Sequence, residues 1–276
     1  MTVIGEIYLH PVKGCRGIPL RTAQVAQTGL ELDGIGDREW VVVDEHGEFL
    51  SQRELPRMAL IETRFAAGSL RLKAPGMLAL DVPFASEGDV VQVQVWNDRL
   101  SAVTQGEIAD AWFTKFLGTS ARLMRFDPEG RRVANRAYTG GAESPYKFAD
   151  AFALLVTNRA SLADLNAKLQ RQRHAPVDMR RFRPNLVLDD LPEYEEDYVK
   201  SLRIGNVELR VVKPCARCTV PGVDPDSGVA ATTVPDVLST YRQTENGVLF
   251  GVNAIVVNGA DDELHIGQTV DVELNL

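Results

Sequence analysis

Residues 211–225 read "VVKPCARCTVPGVDP": an apolar run, a lysine and a proline, two cysteines spaced two residues apart, then a loop of Pro, Gly and Asp. The apolar run reaches back into "SLRIGNVELRVVK", where two alternating segments flank Gly205 and Asn206, the pattern of a tight hairpin. The cysteine pair therefore stands at the end of a strand at 207–212. The following "TVPGVDPDSG" cannot open a helix. A thioredoxin-like dithiol needs its first thiol at a helix N-terminus, so that reading loses weight. Structural zinc needs four ligands, and the remaining Cys15 and four histidines match no zinc spacing. Cys218 is expected to be a small buried hydrophobe. Cys215 differs, because Lys213 and Arg217 flank it and favour the thiolate, and the loop has the character of a cleft rim. A single thiolate there is the ligand a soft transition metal takes when an organic cofactor supplies the rest of its coordination.

Working outward, the first hundred residues read as short strands broken by turns. They are "TVIGEIYLHPV", "REWVVVDEHGEFL", "ALIETRFAAGSLRLKAPGMLALDVP" and "DVVQVQVWNDRLSAVT". Helical period first appears in "GEIADAWFTKFLG", with Ile108, Ala109, Trp112, Phe113, Phe116 and Leu117 on one face and Gly118 as its stop. Residues 127–147 lack any period and read as a long loop. "TNRASLADLNAKLQRQ" predicts a helix capped by Asn158 or Ser161. "FRPNLVLDD" reads as a strand, a helix is expected near 235–241, and the tail returns to β structure. The expected class is α+β and β-rich, in two barrel-like halves, residues 1–118 and 119–276.

The 276 residues carry a net charge of −8, which argues against nucleic acid or an anionic membrane as partner. Any bound anion must be held by a few placed cations. The N-terminus lacks a signal-peptide pattern and no apolar run is long enough to span a bilayer, so a cytoplasmic location is expected. Three cysteines, an odd and sparse number, are expected to be reduced thiols. The chain has no G-x-G-x-x-G after a strand for a nicotinamide or flavin nucleotide.

Taken together, these stretches resemble the MOSC family. "KPCARCTVPGVDPDSG" is similar to the cysteine motif of the MOSC domain (molybdenum cofactor sulfurase C-terminal). "YLHPVKGCRGIPL" and "GDREWVVVDEHGEFLSQRE" are similar to segments of the associated MOSC N-terminal β-barrel domain, and "RFRPNLVLDD", "TYRQ" and "LFGVNAIV" follow in family order. The architecture resembles that of the mitochondrial amidoxime reducing component and its bacterial counterparts, small molybdenum enzymes that reduce N-hydroxylated substrates.

The resemblance implies a molybdenum cofactor (Mo-molybdopterin) with Cys215 as the metal ligand and catalytic residue. It implies Lys13, Arg38, Arg183 and Asn185 as holders of the pterin and its phosphate, where Arg offers a planar fork and Lys a point charge. Gly14, Asp150, Lys213, Pro214 and Phe250 are further candidates at the cofactor, with Ala151 beside them. Gly14 stands where many relatives have Ser, leaving only backbone donation at that position. Asp224 is expected to order the cysteine loop by accepting N–H bonds. His10 is expected to be structural rather than a proton donor. Some bacterial relatives add an iron–sulfur domain, whose four clustered cysteines are not expected in this chain. The implied activity is reduction of a small N-hydroxylated substrate with electrons from an external electron-transfer protein or reductase. The competing expectation is a non-catalytic cofactor carrier, or a sulfur-transfer protein working with a pyridoxal-phosphate-dependent sulfurase.

Overall fold

A computed structural model describes residues 1–85 and 87–275. Its largest sheet runs in the order Ile18–Leu20, Val3–Leu9, Leu186–Asp189, Leu154–Asn158, Gly247–Asn258, Val207–Ala216, Val199–Ile204 and Asp271–Leu274. Leu154–Asn158 and Leu186–Asp189 pair in parallel, joined by a crossover that contains the helix Arg159–Arg171. The remaining pairs along this path are antiparallel. Val199–Ile204 and Val207–Ala216 close over Gly205-Asn206 with Ile204 opposite Val207, the tight hairpin expected from the alternation.

A second sheet orders Val90–Val95, Asp98–Thr104, Arg122–Phe126 and Trp40–Val43, and a three-stranded meander joins Glu62–Ala66, Ser69–Lys73 and Leu80–Pro83. The α+β, β-rich class is as expected. Hydrogen bonding crosses residue 118: the strand Val3–Leu9 pairs with Leu186–Asp189, and Arg122–Phe126 pairs with Trp40–Val43. The first ten residues thus deliver the turn that follows them directly onto the large sheet.

Among the described residues, three α-helices pack on these sheets: α1 (Glu107–Leu117), α2 (Arg159–Arg171) and α3 (Thr233–Arg242). Gly118 ends α1 in the left-handed conformation, and Asn158 caps α2 by accepting from the Ala160 N–H at 3.0 Å. Ile108 departs from the expected apolar face and is 77% exposed. At 100° per residue it lies about 90° from the Trp112–Phe113 centre of the stripe, on the first turn, where nothing packs outside it.

Glu39 ties several segments together. Its buried carboxylate accepts from the Gly36 N–H (2.7 Å), Arg125 Nε (2.7 Å) and Lys147 Nζ (2.5 Å). Burial pushes its pKa up, but the Lys147 ammonium, then the Gly36 N–H and Arg125, outweigh burial and hold it below the ordinary 4.5. A depressed carboxyl stabilises the fold above its unfolded pKa and loses that contribution as pH falls through the folded value. Glu39→Gln is therefore expected to cost about 2–3 kcal/mol at pH 7, because it leaves two partly buried cations uncompensated. Urea unfolding should show this difference shrinking as pH drops below the ordinary carboxyl range.

Candidate functional site

The turn after the first strand is stitched to residues 37–40. Lys13 N donates to Trp40 O (2.8 Å), Trp40 N to Pro11 O (2.9 Å), Arg38 N to His10 O (2.7 Å), and His10 N to Asp37 Oδ1 (2.8 Å). This stitching sets Lys13 and Arg38 side by side. Gly14 follows with φ of +83°, and a Cβ there would stand 2.7 Å from the Met58 methyl. Glycine is thus the residue this turn accepts, which gives a physical reason for its presence where a serine was the family expectation.

From the other half, the 3-10 turn Met179–Phe182 ends at Arg183, held in the left-handed region at φ 58°. Arg38 is left-handed too, at φ 48°, as is Trp96 at φ 58°. All three line one cleft of about 370 Å³. Non-glycine residues in this region cost energy and gather at functional sites.

Arg38 donates to Asp37, to Asn185 Oδ1 (3.2 Å) and to the Arg183 carbonyl (3.0 Å), while Arg183 donates to the Cys15 carbonyl (2.5 Å). Burial, and then Arg38, push Arg183 down to about 10, so it stays cationic at neutral pH. Asn185 is a node of the frame. Its side-chain oxygen accepts from Leu155 N (3.0 Å) and Arg38, and its amide donates to Tyr8 O (3.3 Å). It lines the cleft as expected, but most of its bonding capacity serves to aim Arg38.

Lys13 pairs with Asp150 at 2.5 Å, and Trp96 Nε1 donates to the same carboxylate at 2.9 Å. Burial lowers the Lys13 pKa, with Asp150 pulling it back up and Arg38 pushing it further down. Crowding by the cleft walls pushes Asp150 up, but Lys13 and Trp96 more than offset this and hold it below the ordinary range. Its side chain is 72% exposed, so water in the cleft screens this pairing.

Cys215 lies on the strand Val207–Ala216 rather than in a loop. The register against Gly247–Asn258 slips between Pro214 and Ala216, which puts Cys215 in a β-bulge. Bulges re-aim side chains, and this one turns the thiol into the cleft that Lys13 and Arg38 line from the other half. Arg217 Nη1 sits 3.2 Å from Cys215 Sγ, its Nη2 donates to the Phe182 carbonyl at 2.8 Å, and its buried Nε has no partner among the described residues. Lys213 lies over the Tyr138 and Phe152 rings, at 4.4 and 5.5 Å from their centroids.

Several sequence expectations need correction. Phe250 is fully buried, stacked on Phe182 with centroids 3.9 Å apart, and does not line the cleft. Pro214 does not line it either, because it pairs with Val252 in the sheet. Cys218, expected to be buried, is exposed. It follows the end of the strand, where nothing packs over it. Lys13, Gly14, Arg38, Asp150, Ala151, Arg183, Asn185, Lys213 and Cys215 do line the one cleft. Asp224 organises its loop, accepting from the N–H groups of Asp226 (3.1 Å) and Ser227 (2.8 Å) and from Arg181 (2.6 Å). His10 is buried, its pKa well below the ordinary value through burial and then Arg38 and Arg183, with Nε2 3.0 Å from the Pro184 carbonyl. It is a neutral structural ring. Sequence reasoning did not include Arg53, Trp96 and Arg217 among the site residues. Of these only Arg217, inside the cysteine motif itself, carried a signal.

The cleft is lined by six basic residues and one acidic one on a chain of net charge −8. Such convergence suits an anionic group, with Arg forks and a Lys point charge reaching it from opposite sides. The half-buried Cys215 sulfur, opening into the cleft beside a guanidinium, suits a soft metal. The residues present therefore fit an anionic organic cofactor that carries a metal.

Fold and site together define a MOSC protein: residues 1–120 match the model of the MOSC N-terminal beta barrel domain and residues 143–271 that of the MOSC domain. The chain belongs to this family. It is 32% identical over 245 residues to mitochondrial amidoxime reducing component 2 of Bos taurus, covering 87% of this chain and 72% of the relative. To mitochondrial amidoxime-reducing component 1 of Homo sapiens it is 32% identical over 248 residues, covering 88% and 72%. No helix among the described residues is long and apolar enough to cross a membrane.

Proposed function

We propose that this protein is a molybdenum-cofactor-dependent reductase of N-hydroxylated compounds, supplied with electrons by a separate electron-transfer protein. The observation that carries this reading is the bulged Cys215 opening into a cleft where Lys13 and Arg38 of one half face Arg183 and Arg217 of the other. Its relatives are amidoxime reducing components, which supports the substrate class.

Lys13, Arg38 and Arg183 would hold the anionic pterin phosphate, and Cys215 would ligate the metal. When bound, the cofactor supplies the two-electron redox chemistry. The chain's own work is to bind and orient. Arg217 places its guanidinium against the Cys215 sulfur and so fixes the thiol's position, and Asn185 fixes the Arg38 fork. In the overall reaction the N–OH group takes up two electrons and two protons, the N–O bond breaks, and water leaves as the N–H product forms. The protons come from water in the open cleft, since the His10 ring is buried, neutral and tied to Pro184.

The test is metal and pterin analysis of protein made in a cofactor-competent host, followed by reduction of an amidoxime with a chemical electron donor. The expected result is molybdenum near one per chain with turnover. Metal-free protein would overturn the reading, and full molybdenum without turnover would make this a cofactor carrier.

A further inference from the structure

A second cavity of about 370 Å³ adjoins the cleft, and Arg53, Arg217 and Cys218 line both. Its remaining wall is largely apolar: Pro221 of the cysteine loop, Pro235 and Leu238 of α3, and Val248 of the long strand. Apart from the shared rim it carries no charged side chain. The volume is within the range of small-molecule sites.

The partition between the two spaces is fixed. Arg217 is held at three points: its backbone N–H donates to Val248 O (2.7 Å), its Nη2 to Phe182 O (2.8 Å), and its Nη1 lies 3.2 Å from Cys215 Sγ. The apolar floor is also firm, because Leu238 is a fully buried part of the core against α2. Cys218, on the rim shared by both spaces, thus stands between Cys215 in the cleft and the apolar wall of Pro235 and Val248.

We infer that this second cavity receives the apolar body of the substrate, an inference that rests on the reductase reading above. The charge pattern selects the same molecules. Amidoximes are uncharged at neutral pH and meet no repulsion from the basic lining. The amidine product takes up a proton and becomes a cation, which Arg53, Arg217 and Lys213 repel, favouring its release. An anionic body would instead be drawn to the phosphate-holding cations. The preferred substrates are thus neutral amidoximes with an alkyl chain or ring.

The experiment uses a series of straight-chain alkyl amidoximes with the holoenzyme and a chemical electron donor. Burial of each added methylene should raise kcat/KM about three- to fourfold until the cavity is filled. Thr219→Trp, from an exposed residue on the cavity wall, and Pro235→Glu should each flatten that chain-length dependence. Independently of turnover, titrating octanamidoxime into oxidised holoenzyme without donor should shift the methyl NMR signals of Leu238 and Val248. A flat wild-type series, or methyl shifts confined to residues outside this cavity, would overturn the subsite. Absence of turnover with every amidoxime at full molybdenum loading would remove the reductase reading instead, and the methyl shifts alone would then decide the subsite.

Discussion

Cys215→Ser is expected to lose bound molybdenum and, with it, reduction of N-hydroxylated substrates, while Cys218→Ser retains both. The two thiols are three residues apart in sequence and differ in placement. Cys215 is in the bulge and beside Arg217, whereas Cys218 is exposed past the strand end. Serine keeps the size of the side chain but not its acidity. A hydroxyl presents a hard oxygen where the metal takes a soft sulfur, so the ligand is lost. The drop in metal retention should exceed about 100-fold, the upper end of what the loss of an outer partner of a ligand costs. Metal analysis of both variants beside wild type decides it. Equal molybdenum in all three would remove Cys215 from the site and the proposed function with it.

Phe250→Ala is expected to be the most destabilising single truncation near the cleft, at about 3–5 kcal/mol, through the cavity it leaves against Phe182. For a chain of this size that is a fall in melting temperature on the order of 10 °C. Phe182 is also the residue whose carbonyl holds Arg217 and whose neighbour is Arg183, so loosening it disturbs the site indirectly. Phe250→Leu separates the two roles. It refills most of the volume and should restore cofactor loading along with much of the stability. Thermal melts that stay unchanged while cofactor is lost in both variants would instead make Phe250 a direct contact.

Much of the fold was legible because its causes are local. Alternation with Gly205-Asn206 marks the hairpin, Asn158 marks the start of α2, and Gly118 the end of α1. Ile108 misled because a hydrophobic residue one position off a helical stripe looks the same in sequence as one on it. Cys218 misled because its environment depends on what covers the strand end. Phe250 sat in a motif resembling that of the family, and only packing shows its ring turned inward onto Phe182.

The sequence by itself determined the class, the strand and helix pattern, and the short list of cations and the thiol from which a site can be made. Those follow from periodicity, turn chemistry and residue type, which act over a few residues. Only the tertiary structure decided that Lys13 and Arg38 meet Arg183 and Cys215 across one cleft, because that meeting depends on the strand Val3–Leu9 pairing with Leu186–Asp189. The bulge at Cys215, the left-handed backbone of Arg38 and Arg183, and the apolar cavity beyond Arg217 are likewise set by long-range register and packing, which no local pattern encodes.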